Sequence, residues 1–306
     1  MCRSTSSPGQ DTIPRQTRPN SRSVRSESSP RWSEVTGNTT VTRSIDRVDG
    51  ERQSVDDHIA VEEPLEIRVA GETVAVTMRT PGDDRWLTAG FLIAEGIVSD
   101  VEELSRIYHC GRPEEEGYGN TIDVLPAAGV VLPLDRTEAS RRGTLTTAAC
   151  GVCGRLSIED LEARCEPVEP GPQVSAKIVS EVIDALRANQ SLFDRTGGVH
   201  AAGLADSAGH LFAVCEDIGR HNAVDKVVGG LALGESNGHP VILVVSGRAS
   251  FEIVQKTAAS RVPVVASVSA ASSLAVDLAE RLGITLIGFV RGGRMNIYTH
   301  QDRVSE

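Results

Sequence analysis

Val241-Ile242-Leu243-Val244-Val245 is an unbroken apolar run, and Ser246-Gly247-Arg248-Ala249-Ser250 follows it directly. Consecutive apolar residues of this kind predict a strand that is buried on both faces, as in a parallel sheet. The glycine-containing segment after the run predicts a turn into a helix that ends near Ser260. This succession of strand, turn and helix indicates an α/β fold in which helices cover a sheet.

Residues 175–306 continue the same pattern on both sides of the apolar run. Ser175 and either Ser272 or Ser273 are predicted helix caps, and Gly283 is predicted to end the last helix before its strand. The other predicted elements are the strands Leu211–Cys215, Val262–Val268 and Ile284–Val290 and the helix Val224–Leu231. Alternation of strands and helices predicts that residues 175–306 form an α/β core that binds the ligand.

Residues 39–145 contain shorter alternating segments that predict a smaller region of mixed β and α structure. One helix is predicted after the turn at 80–84, and it ends at Gly96. Residues 1–38 have no hydrophobic period and are predicted to be a disordered tail, and residues 146–174 are predicted to be a loop and linker. The predicted strands of the region are Thr40–Val48, Leu65–Val69, Thr73–Met78, Ile107–Cys110, Thr121–Leu125 and Val130–Leu134.

The composition excludes several classes of protein. The chain has 306 residues, a formal net charge of −11 and an apolar content of 40%. The negative charge argues against general binding to nucleic acid, and no apolar run approaches the roughly 20 residues of a membrane helix. The chain has too few cysteines for a secreted disulfide scaffold and shows no signal peptide, so we expect a cytoplasmic protein.

Cys150-Gly151-Val152-Cys153 is the motif with the clearest chemistry. Two cysteines separated by two residues can reach one atom, or each other, across a single turn. This spacing suits dithiol redox chemistry, half of a zinc site or a sulfur-carrying site. Cys110, Cys165 and Cys215 are scattered without a second such pair, so the support for a four-ligand zinc site is weak and we predict no bound metal.

Polar residues beside glycine follow three of the predicted strands. The carboxyl ends of strands form the ligand crevice of open α/β sheets, and a glycine turn before a helix N-terminus can hold an anion. Three such strand ends together predict an anionic ligand such as a nucleotide phosphate. The three segments are Asp217-Ile218-Gly219-Arg220-His221, Ser246-Gly247-Arg248 and Arg291-Gly292-Gly293-Arg294.

His200 follows Gly197 and Gly198 at the predicted start of a helix. A zinc deaminase would require a glutamate two residues after this histidine and a CxxC motif downstream of it. Residue 202 is alanine and the CxxC motif lies upstream, so deaminase chemistry is disfavoured. His200 is then either a ligand-binding residue or a histidine that caps a helix or fills the core.

Together these stretches resemble the formate dehydrogenase accessory sulfurtransferase family (FdhD) over about residues 40–300. The long motifs are specific in combination, whereas the N-terminal tail has no counterpart in them. The stretches that carry the resemblance are Glu62-Glu63-Pro64-Leu65, Met78-Arg79-Thr80-Pro81-Gly82-Asp83, Cys150-Gly151-Val152-Cys153-Gly154, Thr196-Gly197-Gly198-Val199-His200, Glu216-Asp217-Ile218-Gly219-Arg220-His221-Asn222-Ala223-Val224-Asp225-Lys226, Val245-Ser246-Gly247-Arg248-Ala249-Ser250 and Phe289-Val290-Arg291-Gly292-Gly293-Arg294.

The resemblance implies a fold and a reaction. The fold is α/β (α+β overall), with a cytidine deaminase-like three-layer core, a smaller N-terminal β-rich domain and a homodimeric assembly. Cys150 would accept persulfide sulfur from a cysteine desulfurase, and Cys153 would be auxiliary. The recipient would be the molybdenum or tungsten cofactor that carries two molybdopterin guanine dinucleotides, before its insertion into the catalytic subunit of formate dehydrogenase.

The resemblance also implies where the cofactor binds. The expected cofactor-binding residues are Phe289, Val290, Arg291, Gly292, Gly293, Arg294, His200, Asp217, Arg220, His221, Ser246 and Arg248.

Two other uses of the CxxC motif remain open. The protein could be a thiol–disulfide oxidoreductase or a zinc-stabilised binding module.

Overall fold

The computed structural model describes residues 38–112, 118–133 and 166–306, which all lie within the unit Ser33–Glu306. Cys150, Cys153, the predicted tail up to residue 37 and the predicted linker up to residue 165 lie outside these ranges. The strands are β1 (Thr40–Asp49), β2 (Glu51–Ala60), β3 (Glu63–Val69), β4 (Glu72–Arg79), β5 (Leu104–His109), β6 (Thr121–Pro126), β7 (Val174–Ser175), β8 (His200–Ala205), β9 (Leu211–Asp217), β10 (Ile242–Val245), β11 (Val264–Ser267), β12 (Thr285–Arg291), β13 (Arg294–Ile297) and β14 (Val304–Ser305). The helices are α1 (Asp84–Ala94), α2 (Ala176–Ala188), α3 (Ser191–Thr196), α4 (Arg220–Ala232), α5 (Phe251–Ala259) and α6 (Ser273–Leu282). No helix in the described ranges is long and apolar enough to cross a membrane.

A six-stranded mixed sheet forms the core, in the order β13-β12-β11-β10-β8-β9. Strands β10, β11 and β12 are parallel, whereas β8, β9 and β13 each run antiparallel to their neighbours. The apolar run lies in its middle: Ile242 and Val244 pack with α2 on one face, and Leu243 and Val245 pack with α4, α5 and α6 on the other. The prediction of a three-layer α/β core is therefore confirmed.

The ends of the core helices follow the predicted capping signals. The hydroxyl of Ser175 accepts a hydrogen bond from the backbone nitrogen of Ile178 at 3.2 Å, and Ser272 caps α6 through the backbone nitrogen of Ala275 at 3.3 Å. Gly283 ends α6 in the left-handed conformation, with φ of 74°, which glycine adopts without a steric penalty. These local signals fix where each helix begins and ends against the sheet.

A second, four-stranded sheet in the order β4-β3-β6-β5 forms the predicted β-rich region, with α1 packed on it. Helix α1 also packs against α4 so closely that the backbones touch. A Cβ atom on Gly90 would lie 2.0 Å from the carbonyl oxygen of Asp225, and one on Gly229 would lie 1.9 Å from that of Trp86. Only glycine permits this contact, which joins the β-rich region to the α/β core.

Strands β1 and β2 form a separate hairpin, in register from Thr40 opposite Ala60 to Asp49 opposite Glu51. Gly50 makes the turn with φ of 78°, as the Asp49-Gly50 signal predicts. Most of the hairpin is exposed, including Val48 beside the turn. Its base is attached to the core, because Arg195 donates a hydrogen bond to the buried hydroxyl of Thr40 at 2.8 Å.

Three sequence predictions are wrong in the described residues. His200 begins strand β8 and not a helix, because its backbone pairs with Asp217 of β9. Residues 130–133 form no strand, and Val131 is 93% exposed without a neighbouring strand. The segment Arg291–Arg294 does not follow the last strand of the sheet: it is the turn between β12 and β13.

Candidate functional site

The polar segments that follow the predicted strands lie together at one end of the strands of the six-stranded sheet. We call this row of strand ends the sheet edge. Strand β10 ends there with Ser246 next, and its antiparallel neighbour β8 begins there with His200. Strand β9 ends at the same edge with Asp217, directly opposite His200, and the parallel strand β12 ends there with Arg291. The topology therefore places all the described candidate residues at or next to a single edge.

His200 lies against the turn after β10. The hydroxyl of Ser246 accepts a hydrogen bond from the backbone nitrogen of Ala201 at 2.9 Å, which ties this turn to β8. A Cβ atom on Gly247 would lie 3.4 Å from Nδ1 of His200 and 3.5 Å from Cδ of Arg220. Burial, together with the charge of Arg220, lowers the pKa of His200, which favours the neutral imidazole.

Asp217 orders the loop at this edge and does not face an open space. Its carboxylate is fully buried and accepts hydrogen bonds from Gly219, Asn222 and the backbone of Thr80. Nζ of Lys226 lies 2.8 Å from the same carboxylate and donates to the carbonyl oxygen of Thr80 at 2.9 Å. The charge of Asp217 is thus compensated within the protein, and its role is to position the start of α4.

Arg220 and His221 occupy the first turn of α4. Nε of Arg220 is buried and has no hydrogen-bond partner among the described residues. Nε2 of His221 lies 3.4 Å from the hydroxyl of Ser250 and 3.6 Å from the carboxylate of Glu252. Although burial acts to raise the pKa of Glu252, its hydrogen bonds and the charges of His221 and Arg220 leave it lowered. Arg248 is exposed beside them.

The hairpin turn between β12 and β13 presents two cations and an aromatic ring. Gly292 and Gly293 have φ of 55° and 76°, the signs that a two-residue hairpin turn requires, and they leave Arg291 and Arg294 exposed on either side. The strand pairing is irregular between Gly288 and Arg291, where Phe289 has φ of 54° and is 49% exposed. This irregularity turns the ring out of the sheet.

A cavity of about 640 Å³ lies between the sheet edge and the helices α2 and α3. This volume is in the usual range of small-molecule sites. Its wall includes His200, Ser246, Val290 and Arg291 from the predicted set, which supports a ligand at this edge. Sequence reasoning missed the residues that α2 and α3 contribute: Asp184, Arg187, Gln190 and Phe193. No local sequence signal marks them, because they reach the cavity only through the packing of the helices on the sheet.

The hairpin turn has a second, more open cavity of about 590 Å³, which is lined by Phe289, Arg291 and Arg294. Arg291 lines both cavities, so the turn separates two neighbouring spaces. Asp217, Arg220, His221 and Arg248 line neither of them. The described site therefore has two parts: the cavities beside β12 and the polar cluster at the start of α4.

The described cysteines are poor nucleophiles. Burial is the main cause that raises the pKa of Cys110, and Asp123 adds to it. Cys215 is completely buried, and burial raises its pKa far more. Because the thiolate is the reactive form, neither cysteine is suited to nucleophilic chemistry at neutral pH. Within residues 38–112, 118–133 and 166–306, no group of three or more His, Cys, Asp or Glu residues could hold a metal ion.

Comparison with known proteins gives a consistent result. The model of the FdhD/NarQ family matches residues 60–305. The chain is 54% identical over 258 residues to the sulfur carrier protein FdhD of Anaeromyxobacter dehalogenans strain 2CP-C, covering 82% of this chain and 90% of the relative. It is 45% identical over 276 residues to the protein of the same name from Streptomyces avermitilis, covering 88% and 97%.

A solved structure has the same fold. It is described as a formate dehydrogenase accessory protein from Desulfotalea psychrophila and superposes with a TM-score of 0.68 at 27% sequence identity. The match covers 88% of this chain and 100% of the other. Since the family model spans most of the chain and the relatives exceed 40% identity over most of their length, the chain belongs to the FdhD/NarQ family.

Proposed function

We propose that this protein is a sulfur carrier that supplies the molybdenum cofactor of formate dehydrogenase. Cys150 accepts sulfur from a cysteine desulfurase in the cytoplasm, and the sulfur passes to the cofactor that carries two guanine dinucleotides. The observation that carries the proposal is the cation-lined cavity at the sheet edge, in a chain that has a CxxC motif and resembles proteins named sulfur carriers.

The proposed transfer is a pair of thiol exchanges. The Cys150 thiolate attacks the terminal sulfur of the desulfurase persulfide, and the desulfurase cysteine leaves as a thiolate. In the release step, which requires the bound cofactor as the acceptor of the sulfide, the Cys153 thiolate attacks Sγ of Cys150. A Cys150–Cys153 disulfide forms and the outer sulfur leaves as sulfide, so the two cysteines are oxidised while the transferred sulfur is reduced. A thiol reductant returns the disulfide to the dithiol for the next cycle.

Cys110 and Cys215 support the choice of Cys150 as the sulfur acceptor, because they are less suited to this role. The pKa of Cys215 is raised because it is completely buried, and that of Cys110 is raised by its partial burial and by Asp123, so neither is expected to accept a persulfide. Cys150 is flanked by small residues, which leave room for the thiolate to meet another protein's persulfide. Both Cys110 and Cys215 are free thiols, and they therefore provide internal controls for the chemistry.

The sheet edge supports binding of the anionic part of the cofactor. Arg291 and Arg294 flank two glycines whose missing side chains allow a diphosphate to approach the backbone. The neutral imidazole of His200 and the hydroxyl of Ser246 line the larger cavity beside Arg291 and offer further hydrogen bonds. The proposed protein is a homodimer that binds both the cysteine desulfurase and the catalytic subunit of formate dehydrogenase.

The test is to incubate the purified protein with a cysteine desulfurase and cysteine, and to map added sulfur by mass spectrometry without reductant. We expect one added sulfur atom on the peptide that contains Cys150. The Cys150→Ala variant should gain none and should fail to mature formate dehydrogenase in cells that lack the native protein. Cys153→Ala should still be loaded, because its thiol acts only in release.

Cys110→Ala is the matched control and should be loaded like the wild type. Sulfur on neither cysteine of the CxxC motif would refute the proposal. One tightly held zinc ion per chain, together with no loading, would instead indicate a zinc-stabilised binding module.

A further inference from the structure

The hairpin of β1 and β2, which we call the arm, has two faces of different character. Residues that lie directly opposite each other share a face, and every second pair along the arm points the same way. On one face, Thr42 lies opposite His58 and Ser44 lies opposite Ser54. Side-chain hydrogen bonds of 3.3 Å and 3.1 Å join these two pairs. This face satisfies its own polar groups and is suited to contact with water.

The other face carries an apolar stripe. Val41 lies opposite Ile59, and Ile45 lies opposite Val55. We call these four residues the arm stripe. None of them packs against the apolar cores of the described residues, and Ile59 is 42% exposed. Because a lone two-stranded hairpin is only marginally stable in water, a partner that covers the stripe would stabilise the arm.

Charged residues divide the stripe. Arg43 lies opposite Asp57, between the two apolar pairs. Arg47 lies further along the same face and reaches the carboxylate of Asp57 at 3.6 Å. Both side chains of this ion pair are about half exposed, so it contributes little and can be exchanged for another contact. From its base outwards, the face therefore presents an apolar pair, a pair of opposite charges and a second apolar pair.

A second copy of the arm complements this order. If a two-fold axis runs parallel to the arm, β1 of one copy lies over β2 of the other at the same level. Apolar pairs then meet apolar pairs, and Arg43 meets Asp57 of the second copy. The symmetry makes this ion pair twice. A two-fold axis across the arm would instead place Arg43 against Arg43 of the second copy, which like charge disfavours.

We infer that the arm stripe is a contact surface of the homodimer and that the arm stripe of a second copy covers it. The formal net charge of −11 opposes self-association, so a contact with balanced local charge is favoured. Strands of ten residues are about 33 Å long, and one face of such a hairpin is smaller than the roughly 800 Å² per partner of a standard interface. We therefore expect a reversible dimer. The inference rests on the proposed function, since it assigns the surface of the homodimer named there.

The first test compares acidic substitutions on the two faces of the arm. Ile45→Asp places a carboxylate in the stripe, whereas Val48→Asp places one on the polar face, where Val48 is 67% exposed. Sedimentation velocity over a range of concentrations gives the dissociation constant of the dimer. Ile45→Asp should raise this constant about tenfold or more, because both copies lose a buried apolar side chain. Val48→Asp should match the wild type, and equal constants in the two variants would overturn the inference.

The second test separates contacts between copies from contacts within one copy. Arg43→Asp and Asp57→Arg each create like charges within the arm and across the proposed contact, so each variant alone should dimerise poorly. In an equimolar mixture, the acidic arm of one variant meets the basic arm of the other, while each arm keeps its own like charges. Dimers should therefore reappear on mixing. A mixture that stays monomeric would refute the pairing of arm with arm.

The same measurements distinguish this inference from the proposed function. A wild type that is monomeric at every concentration would refute both the inference and the proposed homodimer. A dimer that persists in Ile45→Asp would refute only the inference, because another surface must then hold the two copies together. Sulfur loading of Cys150 is measured separately by mass spectrometry and tests the carrier function whatever the result for the arm.

Discussion

Phe289 has the left-handed backbone conformation that residues with a side chain rarely adopt. Its φ of 54° is maintained by the irregular pairing of β12 and by a hydrogen bond from its backbone nitrogen to Ser269 at 3.0 Å. Such a conformation costs about 1–3 kcal/mol and is common at functional sites. Here it presents an aromatic ring beside Arg291 and Arg294, where a flat part of the ligand can stack on it.

This strain can be tested with two substitutions that both remove the ring. Asparagine tolerates positive φ, whereas leucine does not, so Phe289→Asn should melt at a higher temperature than Phe289→Leu. Both variants should lose affinity for a ligand that stacks on the ring. Equal melting temperatures in thermal unfolding would mean that the backbone at residue 289 relaxes without cost.

His200 predicts a dependence of stability on pH. Its pKa in the folded protein is lowered from 6.5, mainly by burial and then by Arg220. The unfolded chain therefore takes up a proton before the folded protein does, and stability falls as the pH drops below about 6.5. At higher pH the imidazole is neutral in both states and the effect is absent.

The His200→Gln variant should lose part of this pH dependence. The measurement is the free energy of unfolding in urea between about pH 5 and 7.5, compared with the wild type at each pH. The exposed residue His239 provides the control variant, His239→Gln, which tests whether any histidine has the same effect. An unchanged slope in His200→Gln would show that its protonation is not linked to folding.

At the scale of elements, the contact between α1 and α4 depends on two glycines. A methyl group on Gly90 would collide with the carbonyl of Asp225, and backbone atoms cannot move aside as a flexible side chain can. Gly90→Ala should therefore force the helices apart and lower stability by about 1–3 kcal/mol or more. Thermal unfolding measures this loss.

Gly198→Ala is the control for this prediction. The nearest atoms to its added Cβ lie 3.8 Å away, an ordinary contact distance, so the substitution should change the melting temperature little. If Gly90→Ala were equally harmless, the helices could not be in backbone contact. A loss confined to Gly90→Ala would confirm that the two sheets are joined through this glycine pair.

The sequence predicted those elements whose signals are local. Ser175 and Gly283 mark helix ends by their own chemistry, and Val241–Val245 marks a buried strand by its composition. Strand β13 was missed because the Gly292-Gly293 pair, which is also a hairpin signal, was interpreted mainly as a ligand loop, and the alternative of a tight turn was not extended to a following strand. The strand predicted at Val130 failed because β-branched residues form a strand only where another strand can pair with them.

The candidate site was predictable in part for the same reason. The segments at Ser246 and Arg291 follow predicted strands, so their position at the sheet edge follows from topology. His200 was predicted at the start of a helix and lies at the same edge because β8 pairs with β10. Asp217 was assigned to the ligand, but the structure shows its carboxylate bonded to Lys226 and to backbone groups. Gln190 was missed because it reaches the cavity only through the packing of α2 and α3 on the sheet, which a sequence does not show.

At the scale of the whole molecule, residues 1–38 are predicted to be dispensable because they lack a core-forming pattern. A chain that begins at residue 39 should retain the stability and the sulfur loading of the full protein. A chain that begins at residue 43 is the contrasting control, because it also loses Thr40 and its hydrogen bond from Arg195. Lost loading in the longer of the two truncated chains would contradict the prediction.

The strand order of the large sheet has a consequence for how the chain folds. The outermost strand pair on each side of the sheet, β8 with β9 and β12 with β13, is a hairpin of consecutive strands. Such hairpins can form within microseconds. The pairing of β8 with β10 joins residues that are far apart in the sequence, and such non-local contacts slow folding. We therefore expect these two hairpins to form first. The pairing of β8 with β10 then forms late, and the same step brings His200 and Ser246 together.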